Sequence, residues 1–118
     1  MISLNLELRN KLNLNKEDRF ICVENIKKPG RGKYDKILYF LQENIEDEEM
    51  VIFSLLKLAK EKTHLLICNV PKVNKRLSNG IMKYNKDLFS KMFEKYKIKR
   101  YWFLKSNNRN YFDILFEC

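Results

Sequence analysis

Hydrophobic and polar positions change period several times along this chain. Ile2, Leu4, Leu6 and Leu8 alternate with Ser3, Asn5, Glu7 and Arg9, a period of two that puts the apolar side chains on one face of a strand. After the turn Asn15-Lys16-Glu17-Asp18, a second strand is expected over Arg19 to Ile26, where Phe20, Ile21, Cys22 and Val23 run together. Pro29-Gly30-Arg31-Gly32 breaks any regular element, and Asp35 then offers an N-cap for a short helix to about Asn44.

A longer helix is predicted from about Glu46 to Lys62. Acids fill its first turn and Lys57, Lys60 and Lys62 its end, the charge order that complements a helix dipole. Met50, Val51, Ile52, Phe53, Leu55, Leu56 and Leu58 would occupy nearly the whole circumference, which describes a central or interface helix. Leu65, Leu66, Ile67, Cys68 and Val70 make an apolar run closed by Pro71, a buried strand. Lys72 to Tyr84 is polar, basic and broken at Asn79-Gly80, which reads as a loop.

From about Asn85 to Lys97, Leu88, Phe89, Met92, Phe93 and Tyr96 share one helical face. Arg100 to Lys105 and Tyr111 to Glu117 then form two strands around the loop Ser106-Asn107-Asn108-Arg109-Asn110. The expected fold is a single compact α+β domain over residues 1–118, with four to five strands and three helices, ending in a β-hairpin. Within that hairpin Trp102 and Leu104 with Phe112, Ile114 and Phe116 are expected to face the core, leaving Tyr101, Phe103 and Tyr111 outside.

Composition supports one core: 118 residues, 45% hydrophobic and 13% aromatic, are enough to fold alone. No apolar run approaches the roughly 20 residues of a membrane span, and the alternation from Met1 to Leu8 is not a signal-peptide core. Cys22, Cys68 and Cys118 form no Cys-x-x-Cys pair, and two of them lie in apolar runs. That usage fits a reducing compartment and a cytoplasmic, intracellular protein.

Charge is segregated. Lys72 to Asn110 carries twelve Lys or Arg against Asp87 and Glu94, a net +10 in a chain whose total is +9. Abundant Lys and Asn are the mark of an AT-rich genome, but codon bias does not gather Glu43, Glu46, Asp47, Glu48 and Glu49 in one place and then nearly empty the next forty residues of acids. Such a field attracts a polyanion or an acidic protein face. The expected contacts to nucleic-acid phosphates are Lys72, Lys75, Arg76, Lys83, Arg100, Lys105 and Arg109. A candidate phosphate loop is Lys27, Lys28, Arg31 and Lys33 around Gly30 and Gly32, although its spacing matches neither the phosphate-loop nor the dinucleotide pattern. Aromatic residues interleaved with cations from Tyr96 to Phe116 suggest a third candidate, a base-stacking face.

From about Glu46 to Cys118, the order helix, strand, basic loop, helix, hairpin resembles a winged helix. That resemblance implies that the Asn85 helix reads a groove while Arg109, at the hairpin tip, and Lys105 contact phosphate.

Catalytic chemistry finds no set of residues. His64 is the only histidine, which removes multi-histidine zinc sites and two-histidine acid–base pairs. Four strand residues would hold His64 and Cys68 roughly 13 Å apart. Glu24, Asp113 and Glu117 lie on expected strands without an accompanying Glu-x-Lys element. The sequence therefore describes a non-catalytic protein without metal or cofactor that binds DNA or RNA and has no membrane partner. The alternative is a small inhibitor or adaptor of the kind encoded by phages and mobile elements, as anti-CRISPR proteins are. It would dock on an acidic patch or nucleic-acid channel of another protein, and the apolar helix from Glu46 would serve a homodimer or heteromeric contact.

Overall fold

The computed structural model describes residues 6–24, 32–41, 48–76 and 82–118, with side chains omitted at 74–76, 82 and 83. Its elements are α1 (Leu6–Leu12), β1 (Phe20–Val23), β2 (Tyr34–Phe40), α2 (Glu48–Leu56), β3 (Ala59–Pro71), β4 (Val73–Arg76), β5 (Met82–Tyr84), α3 (Asn85–Lys95), β6 (Arg100–Lys105) and β7 (Tyr111–Glu117). Five strands make one mixed sheet in the order β1-β2-β3-β7-β6, and β4 with β5 makes a separate two-stranded ribbon. β1, β2 and β3 run parallel, whereas β7 is antiparallel to both β3 and β6. The α+β class, the number of helices and the closing hairpin are as expected.

The central strands bury both faces. On one face Ile37, Tyr39, Leu65, Ile67, Ile114 and Phe116 meet α2 and α3, whose Ile52, Leu55, Phe89 and Phe93 are fully buried. On the other, Leu38, Leu66 and Cys68 lie under Leu12, with Leu8 beside it. The helices thus divide two against one across the sheet.

Four expectations are corrected. Leu6 and Leu8 belong to a helix. Their alternation also contains the i, i+4 pair Leu8 and Leu12, which packs on the second core, and Glu7 pairs with Lys11 at 3.2 Å one turn on. Residues 1–5 of the expected strand lie outside the described residues. The helix expected from Asp35 is strand β2. Asp35 caps no helix; its carboxylate accepts the Arg19 N–H at 2.8 Å and pairs with Lys60 at 2.7 Å. Apolar residues on both sides of a parallel strand blur the period of two into a run that resembles a helix.

The helix expected to reach Lys62 ends at Leu56, and Ala59–Lys62 opens the long strand β3. There Thr63 accepts the Lys60 N–H and donates to the Tyr34 carbonyl, so the backbone leaves the helix to join β2. The expected basic loop from Lys72 contains the ribbon β4–β5, with residues 77–81, including Asn79-Gly80, outside the described set.

The winged-helix resemblance ends at element order. β7 lies inside the sheet between β3 and β6, so the closing hairpin is part of the body and not a projecting wing. α3 buries Phe89 and Phe93 against that sheet.

A candidate nucleic-acid interface

β4 leaves the body one residue after Pro71, which is paired with Tyr111 in the sheet. The ribbon is anchored at its base. The Lys72 N–H donates to the Asn110 carbonyl at 3.0 Å, and the Lys72 carbonyl accepts the Asn85 N–H at 3.2 Å. Asn85, buried at the start of α3, also donates its side-chain amide to the Pro71 carbonyl. One backbone hub therefore joins β3, the ribbon, α3 and the β6–β7 loop.

This hub gathers most of the cations expected to touch phosphate. Lys72 is at the ribbon's root, Lys105 stands opposite Phe112 at the end of β6, and Arg109 lies in the loop before Tyr111. Lys75, Arg76 and Lys83 lie on the ribbon strands themselves, although their side chains are outside the described residues. Two neighbours escaped the sequence reading. Lys86 holds its ammonium 5.5 Å from the Phe103 ring centre and 5.7 Å from that of Phe112, and Tyr84 is exposed on β5. Between Lys72 and Lys86 the chain carries Lys72, Lys75, Arg76, Lys83 and Lys86 and no acid.

Arg100 is not part of this group. It faces Glu117 at the opposite end of β6, about 17 Å away by strand rise. There it joins Lys97 and Lys99, two of the cations interleaved with the C-terminal aromatic residues, in a groove of about 360 Å³ also lined by Tyr96 and Glu117. A second groove of about 530 Å³ flanks the same turn and adds Lys91 and Tyr101. Lys91, Lys97 and Lys99 form no ion pair among the described residues.

The candidate phosphate loop divides. Lys27, Lys28 and Arg31 are outside the described residues, while the Lys33 ammonium donates to the Ala59 carbonyl at 3.0 Å. Gly32 has φ +130°, and a Cβ there would stand 3.1 Å from the Tyr34 ring. This glycine serves a tight turn over Tyr34 and Arg19.

Phe112, Ile114 and Phe116 of β7 are buried as expected, but on β6 the aromatic face is the reverse of the expected one. Tyr101 and Phe103 pair with Phe116 and Ile114 and face α3, with Tyr101 4.6 Å from Phe93 between ring centres. Trp102 therefore points to the other side and is 40% exposed. A strand with an aromatic or leucine at every position from Tyr101 to Leu104 satisfies the period-of-two test in either register. The aromatic face of α3 decides between them.

One cluster had no sequence signal. Asp18, Lys36, His64, Glu117 and Arg100 form a row across the sheet, four of them on neighbouring strands in register. Lys36 is only 6% exposed. Its ammonium lies 3.9 Å from Asp18 and 3.3 Å from His64 Nδ1. An ammonium can only donate, so His64 accepts at Nδ1 and keeps its proton on Nε2, 3.6 Å from Glu117. Burial, then the Lys36 charge, push the His64 pKa down from 6.5, against the pull of Glu117. Arg100 closes the row 3.4 Å from Glu117.

Both nitrogens of His64 are thus engaged. Burial also pushes the Cys68 thiol up to about 12. Asp113 and Glu117, four residues apart on β7, each have a cationic partner: Lys11 at 2.7 Å for Asp113, and Arg100 at 3.4 Å for Glu117. Among the described residues no group of three or more His, Cys, Asp or Glu is placed to hold a metal ion, and no helix is long and apolar enough to cross a membrane. Comparison of the chain with protein-family models, with curated proteins and with solved structures returns no match.

Proposed function

We propose that this protein binds nucleic acid without transforming it, chiefly through phosphates. Its contact surface is the β4–β5 ribbon together with the hub of Lys72, Lys86, Lys105 and Arg109. The observation that carries this reading is the charge of the ribbon and its base: five cations and no acid from Lys72 to Lys86, three of them on the strands of a narrow element anchored to the body at its base. A two-stranded ribbon can follow a groove or a backbone that a broad sheet cannot. The mechanism is charge neutralisation with release of condensed counterions.

Combining Lys75→Ala, Arg76→Ala and Lys83→Ala removes three cations from the ribbon without touching its anchor. Binding of labelled oligonucleotides should weaken, and the slope of log affinity against log salt should become shallower by about 2 for a single strand. Unchanged affinity and slope in that variant would overturn the assignment.

A second reading is an inhibitor or adaptor that presents the same basic surface to an acidic protein. The observation favouring it is on α2, where Phe53 is 49% exposed beside a half-exposed Met50. Tight capture of one protein partner with no affinity for free DNA or RNA would select it.

A further inference from the structure

The chain has one tryptophan, and the fold turns it out of both cores. Tyr101 and Phe103 on either side face the helices, so Trp102 faces the sheet surface that carries α1. That helix reaches only part of the surface. Leu8 and Leu12 cover the Leu38, Leu66 and Cys68 region, and Lys11 reaches Asp113 and the Lys105 carbonyl. Trp102 lies beyond, paired with Leu115 and next to Arg100, whose guanidinium is 5.6 Å from its ring. Arg100 also lines the groove that holds Lys97 and Lys99.

We propose that this corner is a base-stacking site, so that the nucleic acid bound is single-stranded. The inference rests on the nucleic-acid reading above and names its substrate class. An unpaired base lies on the indole face of Trp102, and the adjoining phosphates run along Arg100, Lys99 and Lys97. Arg100 shares its charge with Glu117, 3.4 Å away, so Lys97 and Lys99 carry more of the phosphate contact. Charge complementarity decides the occupant. The indole stands beside Arg100, which also lines the groove that holds Lys97 and Lys99, and a polyanion that also offers aromatic faces matches both features. A duplex keeps its bases stacked on one another and cannot present such a face.

Trp102 is also its own reporter, because all tryptophan emission arises from it. Oligothymidylate about ten nucleotides long and a duplex of equal length would be titrated into the intact protein at low salt. Anisotropy of the same labelled nucleic acids would be followed in parallel. The proposal expects saturable quenching by the single strand and little by the duplex. Trp102→Leu should lower single-strand affinity roughly ten- to a hundredfold, with Trp102→Phe retaining most of it, and the pair Lys97→Ala and Lys99→Ala should weaken it while leaving circular dichroism unchanged.

Single-strand binding by anisotropy with unchanged emission and an unaffected Trp102→Leu variant would overturn the stacking site and leave the broader function standing. Equal quenching by duplex would overturn it too, as would emission that shifts on protein dilution alone, which places Trp102 in a contact between copies. No binding of either nucleic acid removes the proposed function and this inference together.

Discussion

Breaking the Lys11–Asp113 pair should unfasten α1 from the sheet. Asp113 is 4% exposed; its carboxylate meets the Lys11 ammonium at 2.7 Å and accepts the Asn69 N–H at 3.2 Å, at the bulge where Asn69 has φ +62°. The gross attraction at that separation is ~6 kcal/mol at an effective dielectric of about 20. Desolvating both ions takes much of this back. Removing one partner is the costly change, since the other stays buried. Lys11→Met strands the carboxylate and should cost about 3–5 kcal/mol. Asp113→Asn keeps an acceptor for Asn69 and should cost about 1–2 kcal/mol.

The double variant Lys11→Met with Asp113→Leu removes both charges and should be more stable than Lys11→Met alone. Urea unfolding followed by circular dichroism, with single Asp113→Leu closing the double-mutant cycle, measures each term. Single variants within about 0.5 kcal/mol of wild type, the range of ordinary surface changes, or strictly additive losses in the double variant, would refute the idea that this pair fastens α1.

Three further outcomes follow from the same geometry. Phe93→Ala should cost about 3–5 kcal/mol in urea unfolding, because the ring fills the space between Phe89, Tyr101 and Phe116. The His64 pKa is depressed in the folded protein, so the unfolded chain takes up the proton first and stability should fall as pH drops below 6.5; His64→Asn should flatten that decline in unfolding curves from pH 7 to pH 5. Lys97 ends α3 at φ +59°, with the Lys97 and Ile98 N–H groups donating back to the Glu94 and Phe93 carbonyls. Lys97→Gly should raise stability by about 1 kcal/mol while weakening nucleic-acid binding, the trade expected where a site keeps a residue the backbone disfavours.

The parts of the fold legible in the sequence are those with one unambiguous period. α3 shows a clean apolar stripe ending in Phe93 and Tyr96, and β6 and β7 are separated by a polar loop, so their expected and observed limits nearly coincide. β2 and α1 failed for opposite reasons. Ile37, Leu38 and Tyr39 are buried in succession on both faces and lose the alternation of a strand, whereas Leu6 and Leu8 alternate inside a helix whose true seam is Leu8 and Leu12.

The candidate site divides in the same way. The basic segment was visible as charge along the chain, but its separation into a ribbon end and an Arg100 end required knowing that Val73–Arg76 and Met82–Tyr84 pair as strands. The row from Asp18 to Arg100 was invisible because its members come from five separate stretches of sequence. Only the parallel register of Lys36 with His64 and the antiparallel register of His64 with Glu117 bring them side by side.

The most direct measurement is the affinity of the intact protein for labelled single-stranded DNA, RNA and duplex DNA across a salt series at constant pH. With four to six phosphates neutralised by the ribbon and hub, log affinity for a single strand should fall against log salt with a slope of about −3 to −4. A slope near zero, or no binding at the lowest salt, would contradict a function built on phosphate contacts.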